Sequence, residues 1–198
     1  TADDVKLDLS GYTLTGNGTT GYGVAMNGRT NVEIRNGTIK SFGYHGISET
    51  TINSGQNHRI INVQITSCGY AGINLSGSGH VIKDCGVNGI TAPGGGFIAA
   101  IVVGEASIVN GNVICNNGIS GGASSSVTGI STGMGCTIIG NTVYNNGTSA
   151  PSSVYGISAG ASSVVNDNAV YSNGSNSTGP NVRGIAAYGY AKVVGNCV

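Results

Sequence analysis

The sequence predicts an all-β fold: a single-stranded right-handed parallel β-helix solenoid of about seven to eight coils of 22–29 residues, with three short strands per coil. Three observations lead there. An Asn recurs inside otherwise apolar, β-branched runs, two aliphatic columns recur in step with it, and a third aliphatic column follows a small residue, usually Gly. No stretch carries a 3.6-residue apolar stripe long enough for a helix.

The Asn comes first. "TIIGNTVYNNG" (137–147) places Asn141 in an apolar run, where a buried amide without partners costs several kcal/mol. "IVNGNVICNNG" (108–118), "VVNDNAVYSNG" (164–174) and "VVGNCV" (193–198) repeat it as Asn112, Asn168 and Asn196. Stacked at one bend of successive coils, these amides can bond to one another and to turn backbone as a ladder. Asn also tolerates the left-handed conformation expected of such a bend. Earlier coils carry Gly37, Val63 and Cys85 there, so the ladder is expected only in the C-terminal half. "NNG" (116–118 and 145–147) and "SNG" (172–174) mark a second turn.

The columns come next. The first runs Leu9, Ile34, Ile60, Ile82, Val109, Ile138, Val165, Val193, and the second, five residues on, runs Leu14, Ile39, Ile65, Val87, Ile114, Val143, Val170, Val198. The third is Val24, Ile47, Ile73, Ile101, Ile130, Ile157, Ile185. One such unit cannot bury its apolar face, but units stacked ~4.8 Å apart with strands paired in parallel can. Parallel crossovers favour the right hand. Residues 1–198 then form one domain, either complete or part of a larger assembly.

Composition narrows the function classes. Charged residues are 8% of the chain with a formal net charge of zero, against roughly 25% charged in an ordinary domain. That balance lacks the basic footprint of a nucleic-acid partner. The longest apolar run, "FIAAIVVG" (97–104), is far short of the ~20 residues of a membrane span. No charged segment followed by an apolar one opens the chain, as in a secreted protein after cleavage. Cys68, Cys85, Cys115, Cys136 and Cys197 have no metal-finger spacing and read mostly as small buried hydrophobes. Five N-x-S/T sequons start at Asn17, Asn36, Asn74, Asn146 and Asn176.

The repeat "GI…N.I.GN.V..N" resembles the right-handed parallel β-helix repeat proteins of the pectin-lyase-like superfamily, and "DDVKLDLSGYTLTG" (3–16) is similar to the opening coils of its secreted bacterial members. The resemblance covers essentially the whole chain and implies the fold. It also implies an extracellular or cell-surface place and a polysaccharide partner. For activity it spans lyases, hydrolases, epimerases, phage tailspikes and members of unknown role.

Enzymes of that superfamily carry their carboxylates and bases on the outward face of the first strand. Here alternation turns Ala25, Asn27, Ser48, Thr50, Asn74, Ser76, Val102 and Gly104 outward, then Ser131, Gly133, Ser158, Gly160, Ala186 and Tyr188. None is ionisable, which weighs against catalysis there and implies no cofactor or metal. "SFGYHGISET" (41–50) brings Tyr44, His45 and Glu49 together, and Tyr44 and His45 are the weak catalytic candidates, a Tyr-His pair that resembles what some uronate lyases and epimerases use for proton transfer. His58 and His80 are equivalent positions whose successors, Ser107 and Cys136, align no third metal ligand. Tyr144 and Tyr171 form an equivalent pair, read as stacking along the coil.

Beside the first column, Ile61, Val81, Ile108, Ile139, Val164 and Val194 should face out, interrupted by Arg35, Lys83 and Lys192. Exposed aliphatic residues imply a covering partner, so self-association into a fibre or oligomer, or the remainder of a longer chain, is the expected partner. The favoured reading is a non-catalytic extracellular structural module. The alternative is a polysaccharide-acting enzyme or carbohydrate-binding domain.

Overall fold

A computed structural model describes residues 2–49, 51, 54–92, 95–118, 126–148 and 152–198, and every element in it is a strand. Seven parallel strands form one sheet: Val24–Ala25, His45–Ser48, Ala71–Ser78, Phe97–Glu105, Ser126–Thr132, Ser153–Ala159 and Asn181–Ala187. Each pairs with its equivalent one coil away, so the chain is a parallel β-solenoid of about 6 turns, slightly fewer than expected. The remaining strands join in a 13-stranded sheet that holds the other two strand columns.

The pairing reproduces the aliphatic columns. Val24, Ile47, Ile73, Ile101, Ile130, Ile157 and Ile185 are successive partners. So are Ile34, Ile60, Ile82, Val109, Ile138, Val165 and Val193, and Leu14, Ile39, Ile65, Val87, Ile114, Val143 and Val170. From Ile34 to Val165 these side chains are 0% exposed in the first column, each worth about 1.5–3 kcal/mol of burial. Leu9 is a correction: Leu7, not Leu9, pairs with Ile34. Ser10 and Gly11 both take left-handed conformations (φ 49° and 85°), and this inserted turn lengthens the first coil between its two inward positions.

Three short strands per coil also needs amending. Glu33–Lys40 and Arg59–Thr66 run unbroken through two columns, whereas later coils split into pairs such as Ile108–Asn110 and Val113–Cys115. The split begins at Cys85, whose N–H donates to Asn112 Oδ1 at 2.9 Å.

The expected ladder is present. Asn112 donates its backbone N–H (3.0 Å) and Nδ2 (2.9 Å) to Asn141 Oδ1. Asn141 does the same to Asn168 at 2.9 Å and 2.9 Å, and Asn168 to Asn196 at 3.0 Å and 2.9 Å. Each Nδ2 also donates to a carbonyl of the preceding coil: Ile82, Val109, Ile138 and Val165. The left-handed residue is not the ladder Asn but the one before it, Gly111, Gly140, Asp167 or Gly195.

A second ladder fills the next bend. Asn117 donates N–H (3.2 Å) and Nδ2 (2.8 Å) to Asn146 Oδ1, and Asn146 donates likewise to Asn173 at 3.1 Å and 2.9 Å. The third bend uses mixed chemistry. The amides of Val32, His58, His80, Ser107 and Cys136 donate to His58 Nδ1, His80 Nδ1, Ser107 Oγ, Cys136 Sγ and Ser163 Oγ, each one coil on.

Replacing Asn141 by Ala strips the acceptor from two buried donors of Asn112 and the donor from Val109 O. Loss of about 2–4 kcal/mol in urea-unfolding free energy is expected, with a comparable loss for Asn146→Ala. Under 1 kcal/mol for either would mean that the ladders contribute little to stability.

Candidate functional site

The outward face of the Gly-Ile sheet carries a groove because of stacked glycines. A Cβ on Gly77 would collide with the carbonyl oxygen of Gly55, on Gly104 with that of Gly77, and on Gly160 with that of Gly133. The coils approach so closely at this corner that no side chain fits. The result is a trough of about 540 Å³ lined by Asn74, Ser76, Ser78, Val102, Glu105 and Gly133, among others. Asn74, Ser76, Val102, Gly104 and Gly133 are thus outward as alternation requires. Ser48 and Ala186 are instead buried, at 2% and 4%, and Thr50 lies outside the described residues.

Sequence reasoning missed Glu105. The strand Phe97–Glu105 shifts register after Val103, and this irregularity sets Glu105 opposite Ser78 at the trough's edge. The trough therefore holds two hydroxyls, an amide and one carboxylate, and among its lining residues no Lys, Arg or His. It can donate and accept hydrogen bonds, and Glu105 is the one carboxylate among the described lining residues.

Tyr44 and His45 sit beside the start of this sheet. Tyr44 stacks between Tyr22 (centroids 5.6 Å) and Tyr70 (6.0 Å), and His45 lies 5.5 Å from the Tyr22 ring. Tyr22 and Tyr44 are half-exposed. The rings lie face to face between successive coils, so the faces inside the stack are covered. Tyr144 and Tyr171 stack in the same way at 5.2 Å. Burial holds the His45 imidazole below its ordinary range and therefore neutral near pH 7, and its Nδ1 is buried without a partner among the described residues.

Below the trough lies a buried cluster. Glu49 follows the strand His45–Ser48, and its Oε1 accepts from the amides of Gly28 (2.6 Å) and Thr51 (2.8 Å). Its Oε2 faces His58 Nε2 at 3.5 Å, with both side chains 0% exposed. His58 stacks on His80 at 5.1 Å and 11°. An amide N–H can only donate, so Nδ1 of each ring is bare and the neutral rings carry their protons on Nε2. His80 Nε2 then donates to Ser76 O at 3.0 Å, which ties the ring to the trough wall. Burial depresses both imidazoles, His80 to about 4, while Glu49 partly offsets the effect at His58. Neither ring has a free lone pair for a metal, and no group of three metal-ligating side chains occurs among the described residues.

The aliphatic residues expected on one assembly face occupy two columns. Val81, Ile108 and Val164 share theirs with Arg59, Thr137 and Lys192. Ile61, Ile139 and Val194 share theirs with Lys83, Asn110 and Asn166. Ile108, Val164 and Val194 are exposed, the others half-buried. The five thiols are free, with Cys68, Cys85 and Cys136 buried, Cys115 half-buried and Cys197 exposed. Of the sequons, Asn146 is 0% exposed inside the second ladder. No described helix is long and apolar enough to cross a membrane.

No known protein family and no curated protein matches the chain. Among solved structures it is similar to the Azotobacter vinelandii mannuronan C-5 epimerase AlgE6 A-module, at 15% identity and a TM-score of 0.49. The match covers 98% of this chain and 63% of that one, and it says nothing of what this chain does.

Proposed function

We propose that the chain is a non-catalytic β-helix module that holds an extended, uncharged polysaccharide in the trough on its Gly-Ile sheet. One observation carries this reading: a groove floored by stacked glycines and lined by an amide, hydroxyls and a single carboxylate. Sugar hydroxyls need donors and acceptors in equal measure. Asn74 offers two donors and an acceptor, Ser78 one donor and an acceptor, and Ser76, whose hydroxyl proton goes to Thr51 O, an acceptor. A polyuronate would bring negative charge to Glu105 with no Lys or Arg among the lining residues to meet it. A polysaccharide partner fits an extracellular or cell-surface place. Self-association along the two aliphatic columns can accompany such a role by presenting several troughs at once.

A second reading, proton transfer on a uronate polymer, is favoured by one feature. His45 is held neutral beside Tyr44, as a general base near pH 7 must be.

Isothermal titration against neutral and uronate oligosaccharides tests both. Binding of a neutral glycan is expected. Asn74→Ala should weaken it about fivefold through one lost hydrogen bond, and Val102→Arg, which fills the trough, more than tenfold. Failure of every neutral glycan to bind, or Val102→Arg binding as well as the unaltered protein, overturns the trough reading. An unsaturated, ultraviolet-absorbing product or an inverted uronate C5, lost in His45→Ala, would establish the second.

A further inference from the structure

At the third bend, each coil's amide is held by a side chain from the next coil, and in five successive coils that side chain is His58, His80, Ser107, Cys136 and Ser163. Hydroxyl rungs accept at any pH. An imidazole accepts through Nδ1 only while that nitrogen is bare, and protonation turns it into a donor. The amides of Val32 and His58 would then face N–H groups across 3.2 Å and 3.3 Å, with no acceptor between them.

We propose that His58 and His80 form an acid-operated seam in the solenoid, at which mild acid parts the coils along these two rungs while the hydroxyl rungs beyond stay closed. Each protonation opposes the other in the closed seam, so together they favour its opening. The rings stack at 5.1 Å, so two imidazoliums would repel, and both are 0% exposed. The charged groups facing His58 are Glu49, at 3.5 Å from Nε2, and Asp3 further off. Those facing His80 are Glu49 and His58 itself. Glu49 favours a proton on His58, but it meets Nε2, which already carries one, and so cannot relieve the clash at Nδ1. Opening frees both rings to water, where they take protons at the ordinary value near 6.5.

The sign follows from linkage. Both rings are depressed in the folded state, so their contribution is intact above about pH 6.5 and falls as the pH drops below it. With His80 held down to about 4, its own share is a roughly 30-fold rise in the opening equilibrium at about pH 5 over about pH 7.5. The seam also passes through the trough wall, because His80 Nε2 donates to Ser76 O.

The test is amide hydrogen exchange followed by NMR on the intact protein at those two pH values, expressed as protection factors so that intrinsic exchange cancels. Val32 and His58 amides should lose protection tenfold or more. The amide of Cys136, held by Ser163 Oγ at 3.1 Å, should change less than threefold. Equal loss at all these amides would mean global acid unfolding, and no loss would mean a pH-insensitive seam; either overturns the proposal. His58→Ser with His80→Ser installs the rung already used at Ser107 and should abolish the pH dependence. Should that pair not fold, His80→Asn, which brings an acceptor of the ladder type, should reduce the acid-induced loss at the His58 amide at least fivefold. Retention of the full loss in a folded variant also refutes the seam.

Discussion

The structure depends on one recurring interaction: all along the third bend, and at the other two from Cys85 and Ile90 onward, a side chain of one coil captures the backbone amide of the equivalent residue in the coil before it. A solenoid must turn its chain three times per coil, and every turn leaves inward amides without strand partners. A buried, unpaired amide costs about 1–3 kcal/mol, so several per coil would exceed the net stability of an ordinary domain. The chain answers with a left-handed residue followed by an acceptor. Gly140 then Asn141, Asn145 then Asn146, and Gly79 then His80 are the same device at three corners.

This device explains what could be read from sequence and what could not. The Asn112–Asn196 ladder was legible because an amide inside β-branched residues has no other economical explanation. The second ladder was hidden in plain view. In "NNG" the first Asn takes the left-handed turn and the second turns inward, and turn propensity alone accounts for both letters. In the third, His58, His80, Ser107 and Cys136 were legible as equivalent positions, but their accepting role was not, because they and Ser163 share no common chemistry. Leu9 was displaced by an insertion that column spacing cannot reveal, since Leu7 and Leu9 are equally aliphatic. The trough was half legible. Alternation placed Asn74, Ser76 and Val102 outward, but Glu105 depends on a register shift and the groove itself on the close approach of glycine backbones.

The mixed third bend joins fold to site. His80 serves the ladder through Nδ1 and the trough wall through Nε2, while Ser76 donates its hydroxyl to Thr51 O at 2.8 Å and Glu49 holds the Thr51 amide at 2.8 Å. The trough wall thus rests on backbone held by the Glu49 side chain and two stacked rings. For a ligand held as proposed, backbone fixed in this way would lower the ordering cost of binding in a shallow polar groove.

The sparse charge follows from the same geometry. Parallel in-register stacking sets equivalent side chains ~4.8 Å apart in columns, so each column must be filled with residues that tolerate copies of themselves. Aliphatic side chains pack, Asn amides chain donor to acceptor, glycines close up, and Tyr22, Tyr44 and Tyr70 stack ring on ring. Like charges do none of these. Charges survive where signs alternate: Lys6, Glu33 and Arg59 run down one column with contacts of 3.2 Å and 3.1 Å, and Asp8 meets Arg35 at 2.7 Å in the next. Elsewhere charges such as Lys83 and Lys192 stand singly in their columns, among aliphatic residues, Thr and Asn. The neutrality on which the proposed glycan binding rests is therefore first a condition for stacking the coils.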